Sequence, residues 1–334
     1  MQQEFFAGID VGNFETKSPG CSFLSGFTEL TLEPFGVTKE DYIKKEGKFY
    51  VLDQKSFPYV QDKTVDDHMA ILTLIAIAKE MRTYYESMHK DEPHADLSVR
   101  QDIGKVQTVH LGVGLPPAHL SALKEKVADY YKSFFGGGVN FTYNGIDYSF
   151  KLGKIGVYPQ NFAAIIAFNK SSNPDSIISV YEDYYSFDWG GYTLDKIAIT
   201  NNKLDLAGSD SFDDGIVVLC DKLKAQLMKD TGRSIDDSAI FKVLKGKKTP
   251  LPAEVTDFIK KYTESWTHEV MNKLAQSGVN YFARPVIFMG GTSLLLKPYI
   301  ESYNKISCME FFDDPCMNAA AYRKLIKHTV MNGK

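Results

Sequence analysis

Short β-branched and aromatic stretches alternate along the chain with longer segments whose apolar positions recur at helical spacing. Residues 5–10 read as a strand ending in Asp10, with Gly12 and Asn13 as the turn after it. Further strand-like pieces lie at 21–24, 28–32 and 48–52. Residues 65–88 predict a long helix. Its middle, Met69 to Ala78, is the longest apolar run and about half of what a membrane span needs. Glu80 and Arg82 follow at once, so the segment reads as a buried core helix. A β-branched strand at 106–114 is broken by Leu115-Pro116-Pro117. Leu120, Leu123, Val127 and Tyr130 or Tyr131 share one face of a helix over 119–135, which Gly136-Gly137-Gly138 ends. Residues 139–143 and 148–152 form a hairpin through Asn144-Gly145, and 154–158 is a further strand. Pro159 then starts a helix, with Gln160 in its first turn.

The best candidate for a domain joint is 171–175, Ser-Ser-Asn-Pro-Asp, after which the pattern restarts. Ser186-Phe187-Asp188 ends a strand, Gly190-Gly191 makes a turn, and strands follow at 193–200 and 203–207. Helices are expected at about 213–228, 236–244 and 252–276. A strand at 286–289 runs into Gly290-Gly291, with helices at 293–303 and 318–328 after it. No fixed-period repeat is present. There is instead a coarse echo: the segment from Phe6 to Lys17 and the segment from Ser186 to Lys196 are both strand, Asp, glycine turn, strand.

The 334 residues allow two domains, or three small ones, and 44% apolar residues are ample for a buried core. Lys plus Arg number 38 against 42 Asp plus Glu, a net charge of −4, so a dominant direct grip on nucleic acid is disfavoured. Cys21, Cys220, Cys308 and Cys316 form no C-x-x-C pair and read as buried, reduced thiols. The histidines at 68, 89, 94, 110, 119, 268 and 328 are scattered, without metal-ligand spacing. Met1-Gln2-Gln3-Glu4 offers neither a signal peptide nor an amphipathic anchor. The expectation is a soluble, cytoplasmic protein with no membrane partner.

The echo has a chemical meaning. Glycine turns let backbone N–H groups approach a phosphate closely, and an Asp at a strand end can hold Mg²⁺ through its waters. Two such units facing each other would form a clamp, with Asp10 and Asp188 on the metal and the Gly12 and Gly190-Gly191 turns on the phosphates; Lys17 would add positive charge. Other phosphate-binding and catalytic signatures do not occur. There is no G-x-x-x-x-G-K-[ST], no G-x-G-x-x-G after a strand, and no G-x-S-x-G, H-E-x-x-H or kinase signature.

These motifs resemble those of the actin-like ATPase superfamily, and specifically of the ParM-type actins that segregate bacterial plasmids. The segments that carry the resemblance are Gly8-Ile9-Asp10-Val11-Gly12-Asn13-Phe14-Glu15-Thr16-Lys17, Phe187-Asp188-Trp189-Gly190-Gly191-Tyr192-Thr193-Leu194-Asp195 and Val286-Ile287-Phe288-Met289-Gly290-Gly291-Thr292-Ser293-Leu294. They stand in the family's order, and the likeness spans about residues 5 to 325. Leu111-Gly112-Val113-Gly114-Leu115-Pro116 and Leu206-Ala207-Gly208-Ser209-Asp210 add weaker matches.

The resemblance implies an α/β actin-like two-domain fold, with duplicated mixed sheets flanked by helices and the nucleotide in the interdomain cleft. Domain I would be 1–172 plus 315–334, with a small inserted tip subdomain at about 27–61; domain II would be 173–314. Asp10 and Asp188 would coordinate Mg²⁺ through water. Gly12, Asn13, Phe14 and Lys17 would line one side of the phosphates, and Gly190, Gly191 and Tyr192 the other. Gly290, Gly291 and Thr292 would pack on the nucleoside, Gly208 would lie near the ribose, and Lys242 would cover the base. Gln160 falls where the family places the residue that orients the attacking water, often a Glu in its relatives. Trp189 is large for a phosphate turn and is expected to pack against the strands. The implied cofactors are Mg²⁺ and ATP, with GTP left open. The implied function is a filament-forming ATPase whose partners are further copies of itself and a DNA-bound adaptor. A small-molecule kinase of the same fold, or a cell-shape or other cytoskeletal actin homologue, stays as the alternative.

Overall fold

The computed structural model describes residues 4–38, 41–88, 108–168 and 173–333. Met1-Gln2-Gln3, the first residues of the strand expected at 106–114, His89, His94, and Ser171 and Ser172 of the expected joint lie outside the described residues. In chain order the first elements are β1 (Glu4–Val11), β2 (Glu15–Ser18), β3 (Cys21–Leu24), β4 (Phe27–Leu30), β5 (Tyr42–Lys45), β6 (Lys48–Leu52), α1 (His68–Met88), β7 (Thr108–Leu115), α2 (Pro117–Phe135), β8 (Val139–Tyr143), β9 (Ile146–Pro159) and α3 (Phe162–Ala167). Then follow α4 (Ile177–Val180), β10 (Tyr184–Trp189), β11 (Leu194–Thr200), β12 (Lys203–Phe212), α5 (Ile216–Thr231), α6 (Asp237–Leu244), α7 (Ala253–Gln276), β13 (Val286–Met289), α8 (Gly291–Glu301), β14 (Met309–Phe311) and α9 (Met317–Asn332). The chain divides into two compact units, Met1–Phe168 with Cys316–Lys334, and Asn169–Pro315.

The first unit carries a mixed sheet in the order β3-β2-β1-β7-β9-β8-β5-β6-β4. β7 pairs in parallel with both β1 and β9. Its core residues Val109, Leu111 and Val113 are buried, as a strand covered on both faces requires. Helix α1 buries the run from Met69 to Ala78 in this core. Helix α9 lies against β1 and β7. It can come this close because Gly8 and Gly112 stand opposite each other in register. A Cβ on Gly8 would sit 2.0 Å from the Ala319 carbonyl oxygen, and one on Gly112 would sit 2.5 Å from that of Tyr322.

The second unit carries a five-stranded sheet in the order β12-β11-β10-β13-β14. This matches β3-β2-β1-β7-β9 strand for strand. β1 pairs antiparallel with β2 and parallel with β7; β10 pairs antiparallel with β11 and parallel with β13. The registers agree as well: Asp10 faces Lys17 and Val11 faces Thr16, while Asp188 faces Asp195 and Trp189 faces Leu194. The echo in the sequence is thus a duplicated structural unit.

Several local expectations are corrected. Residues 148–152 and 154–158 belong to one continuous strand, β9, which runs on to Pro159. Pro159 ends that strand and starts no helix; Gln160 lies in the turn before α3. Strand β12 runs on from the expected end at 207 through Gly208 to Phe212. Only Cys220 of the four cysteines is buried, and all four are free thiols. Among the described residues no helix is long and apolar enough to cross a membrane.

Candidate functional site

Each unit offers the same constellation: an acid near the end of a central strand, then a glycine turn into an antiparallel neighbour. In the first unit the Gly12 N–H donates to the Glu15 carbonyl at 3.0 Å. In the second the Gly190 N–H donates to the Thr193 carbonyl at 2.8 Å. Both glycine N–H groups are therefore used inside their own turns. Glycine is needed at position 12, where a Cβ would sit 2.6 Å from the Glu15 carbonyl oxygen. Asp10, Asn13, Phe14, Asp188, Gly191 and Tyr192 are all half-buried, so neither turn is sealed in the core or spread on the surface.

The first turn is braced by residues that carry no motif. Ser25, 2% exposed, donates its hydroxyl to the Gly12 carbonyl at 2.6 Å. Its own N–H donates to the Phe14 carbonyl at 2.9 Å. Lys63 Nζ donates to the Val11 carbonyl, and the Val60 N–H donates to Asn13 Oδ1 at 3.2 Å. Asp62 fixes the backbone around Lys63 by accepting from the Thr64 N–H at 3.0 Å and the Thr64 hydroxyl at 2.6 Å. Hydrogen bonds from Lys126 and Thr64 hold the Asp62 carboxyl down at about 2. A small cavity of about 40 Å³ lies beside this turn, lined in part by Gly12, Asn13, Ser25 and Lys63.

Gln160 is brought to Asp10 by two backbone anchors. Its N–H donates to the Leu115 carbonyl at 2.8 Å. The next residue, Asn161, is fully buried at φ 62, and its N–H donates to Asn318 Oδ1 at 2.9 Å. Held in this way, Gln160 Nε2 donates to Asp10 Oδ1 at 2.8 Å. Lys17 stands across the strand pair from Asp10, with its Nζ 3.6 Å from Glu15 Oε2.

The second turn leans on the start of α5. The Gly190, Gly191 and Tyr192 carbonyls accept from the N–H groups of Ile216 at 3.4 Å, Val217 at 2.9 Å and Gly215 at 2.9 Å. Trp189 is fully buried. It packs on Trp266 of helix α7, with ring centroids 5.8 Å apart, and donates Nε1–H to the Asp214 carbonyl at 2.6 Å. Its ring thus meets a helix. Gly290, at φ +88, closes the site: a Cβ there would sit 2.5 Å from Asp188 Oδ1. Thr292, expected on a nucleoside, donates its hydroxyl to the Gly190 carbonyl at 2.8 Å. Within this unit the structure therefore gathers Asp188, Gly190, Gly191, Tyr192, Gly290, Gly291 and Thr292. Lys242 is exposed in the last turn of α6, and Gly208 donates its N–H to Asp205 Oδ1 at 3.0 Å. A larger cleft of about 640 Å³ between α5 and α7 holds none of the expected residues.

No protein-family model and no curated protein matches the sequence. Solved structures match nearly end to end. The native crystal structure of Ta0583, an archaeal actin homologue, is 15% identical, with a TM-score of 0.69 over 98% of this chain and 99% of that one. Bacillus thuringiensis ParM with ATP is 13% identical, with a TM-score of 0.61 over 99% and 100%. A 15-stranded ParM filament from Clostridium botulinum is 14% identical, with a TM-score of 0.64 over 98% and 99%. The two mixed sheets, their shared strand order and these matches agree: the chain has the actin-like α/β fold, the fold of the superfamily that its motifs resemble.

Proposed function

We propose that the protein is a Mg²⁺-dependent ATP hydrolase that assembles into polar filaments and drives plasmid DNA segregation through a DNA-bound adaptor. The observation that carries this reading is the duplicated acid and glycine turn in one register, with Gln160 hydrogen-bonded to the acid of the first copy, Asp10. A symmetric pair of turns suits the symmetric task of holding a polyphosphate. The Gln160 contact to Asp10 suits the placing of a single attacking water.

In this reading Asp10 and Asp188 hold Mg²⁺ through its waters. Carboxylates are hard oxygen donors that suit this ion, which keeps most of its water. Among the described residues no group of three or more His, Cys, Asp or Glu could hold a metal ion. The ion, when bound, neutralises phosphate charge. Asn13, Phe14, Gly191 and Tyr192 hold the phosphates, with Lys17 adding charge. Gly290 and Gly291 pack on the nucleoside, Gly208 lies by the ribose and Lys242 covers the base. Gln160 orients the attacking water by hydrogen bonding, without acting as a strong base. ATP favours the subunit shape that fits its neighbour, and hydrolysis weakens that fit. The net charge of −4 agrees with DNA being held by an adaptor. Solved filaments and an ATP complex among proteins of the same fold support the same reading.

The test is phosphate release from ATP with and without Mg²⁺, in the native protein and in Asp188→Ala. Release that needs Mg²⁺ and is lost in Asp188→Ala is expected. Release unchanged in the variant contradicts the metal assignment, and no release from the native protein contradicts the enzyme reading.

A further inference from the structure

The two glycine turns are held alike by residues that do not correspond in the duplication. In the first unit the hydroxyl on the Gly12 carbonyl comes from Ser25, just beyond strand β3. In the second the hydroxyl on the Gly190 carbonyl comes from Thr292, in the first turn of α8. A duplicated sheet explains why the turns match. It does not explain why two unrelated elements each deliver a hydroxyl to the same carbonyl.

Peptide geometry gives a reason. Across a trans peptide the C=O and N–H point in opposite directions. Fixing the Gly12 carbonyl therefore fixes the direction of the Asn13 N–H, and fixing the Gly190 carbonyl fixes that of Gly191. The glycines' own N–H groups are used inside the turns. No acceptor among the described residues takes the N–H of Asn13 or Gly191. Both bracing hydroxyls are buried, at 2% exposure for Ser25 and 5% for Thr292. Ser25 donates to Gly12, so in its 2.9 Å contact with Thr16 Oγ1 it is Thr16 that donates. The resulting chain Thr16 to Ser25 to Gly12 leaves the serine proton one direction only.

We propose that Ser25 and Thr292 are positioning residues for the nucleotide phosphates, each holding a turn carbonyl so that the next N–H, of Asn13 or Gly191, donates to a phosphate oxygen. This rests on the ATP reading and adds to it two residues that act through the backbone. The hydroxyls do not touch the ligand. Removing Ser25 takes its bond from the Gly12 carbonyl, and removing Thr292 leaves the Gly190 carbonyl only the longer 3.4 Å bond from the Ile216 N–H, so each peptide is held less firmly and a donor to an anion loses its fixed direction.

The experiment measures binding of the non-hydrolysable analogue AMPPNP and of adenosine by titration calorimetry. The proteins are the native chain, Ser25→Ala, Thr292→Val and Thr292→Ser. Ser25→Ala and Thr292→Val are each expected to weaken AMPPNP roughly tenfold, the loss of one well-placed bond to an anion. Adenosine affinity stays unchanged, which also reports that the variants fold. Thr292→Ser, which keeps the hydroxyl, is expected to bind AMPPNP like the native chain. Equal weakening of both ligands, no weakening of AMPPNP, or failure of Thr292→Ser to restore binding would overturn the inference. A native chain that binds no AMPPNP would overturn the ATP reading itself, and the inference with it.

Discussion

Gly290 is the position where the structure makes the sharpest demand on the sequence. It stands at φ +88 and ψ 157 between β13 and α8, a region open in practice only to glycine. A Cβ there would sit 2.5 Å from Asp188 Oδ1 and 2.6 Å from the Trp189 carbonyl oxygen. Gly290→Ala therefore carries two costs. The backbone conformation costs about 1–3 kcal/mol for a residue with a Cβ. The overlap must be relieved by moving the acid or the strand, at about 1–3 kcal/mol more. The sum is about 2–6 kcal/mol. Gly278 separates the two, because it has φ +95 and nothing within 4 Å of a Cβ. Gly278→Ala should show the backbone cost alone, about 1–3 kcal/mol. Urea unfolding of both variants gives the stabilities, and phosphate release from ATP gives the functional consequence. Gly290→Ala is expected to be the less stable of the two and to lose phosphate release, because the alanine methyl displaces Asp188. Gly278→Ala should keep phosphate release. A Gly290→Ala protein as stable as Gly278→Ala, with native turnover, would refute the steric argument and the placement of Asp188.

Two further outcomes follow from other parts of the fold. Gln160→Ala should slow phosphate release at least about tenfold while AMPPNP affinity holds, and phosphate release at the native rate would contradict the water-orienting role. Glu80, 3% exposed, pairs through Oε1 with Arg323 at 2.9 Å, but burial outweighs the guanidinium and raises its carboxyl from 4.5 to about 7. Between pH 4.5 and 7 the folded chain holds a proton that the unfolded chain releases, so this group's stabilisation is full below pH 4.5 and fades as pH rises through 7, by about 3 kcal/mol. Urea unfolding across that window should show the slope in the native chain and lose it in Glu80→Gln; an unchanged slope in the variant would assign it to other groups.

What is legible in the sequence is local. Asp10 and Asp188 with their glycine turns can be read because strand, acid and turn are contiguous, and the structure gives both the same register. Burial of Met69 to Ala78 follows from the length of the apolar run. Sequence and structure part where one residue type serves two conformations. Pro159 fits the first turn of a helix and equally the last position of a strand, and only the Asn161 turn, anchored by distant Asn318, decides between them. The strand expected at 203–207 stops short of Phe212 because β12 is an edge strand whose residues between Ala207 and Phe212 are Gly, Ser and Asp. Strand β5 escapes detection because its two buried residues, Tyr42 and Ile43, stand side by side before two lysines and show no alternation. Ser25 and Lys63 are invisible for a different reason. Their roles are contacts to backbone carbonyls far along the chain, and no periodicity or spacing encodes such a contact.

The central claim is that ATP drives assembly and its hydrolysis reverses it. Right-angle light scattering of the purified protein with Mg²⁺, after addition of ATP, then ADP, then a non-hydrolysable analogue, tests it most directly. A rise with ATP that decays as phosphate appears, and a rise with the analogue that persists, are expected. No rise at any workable concentration, with phosphate still released or transferred to an added metabolite, would contradict it and point to a kinase of the same fold.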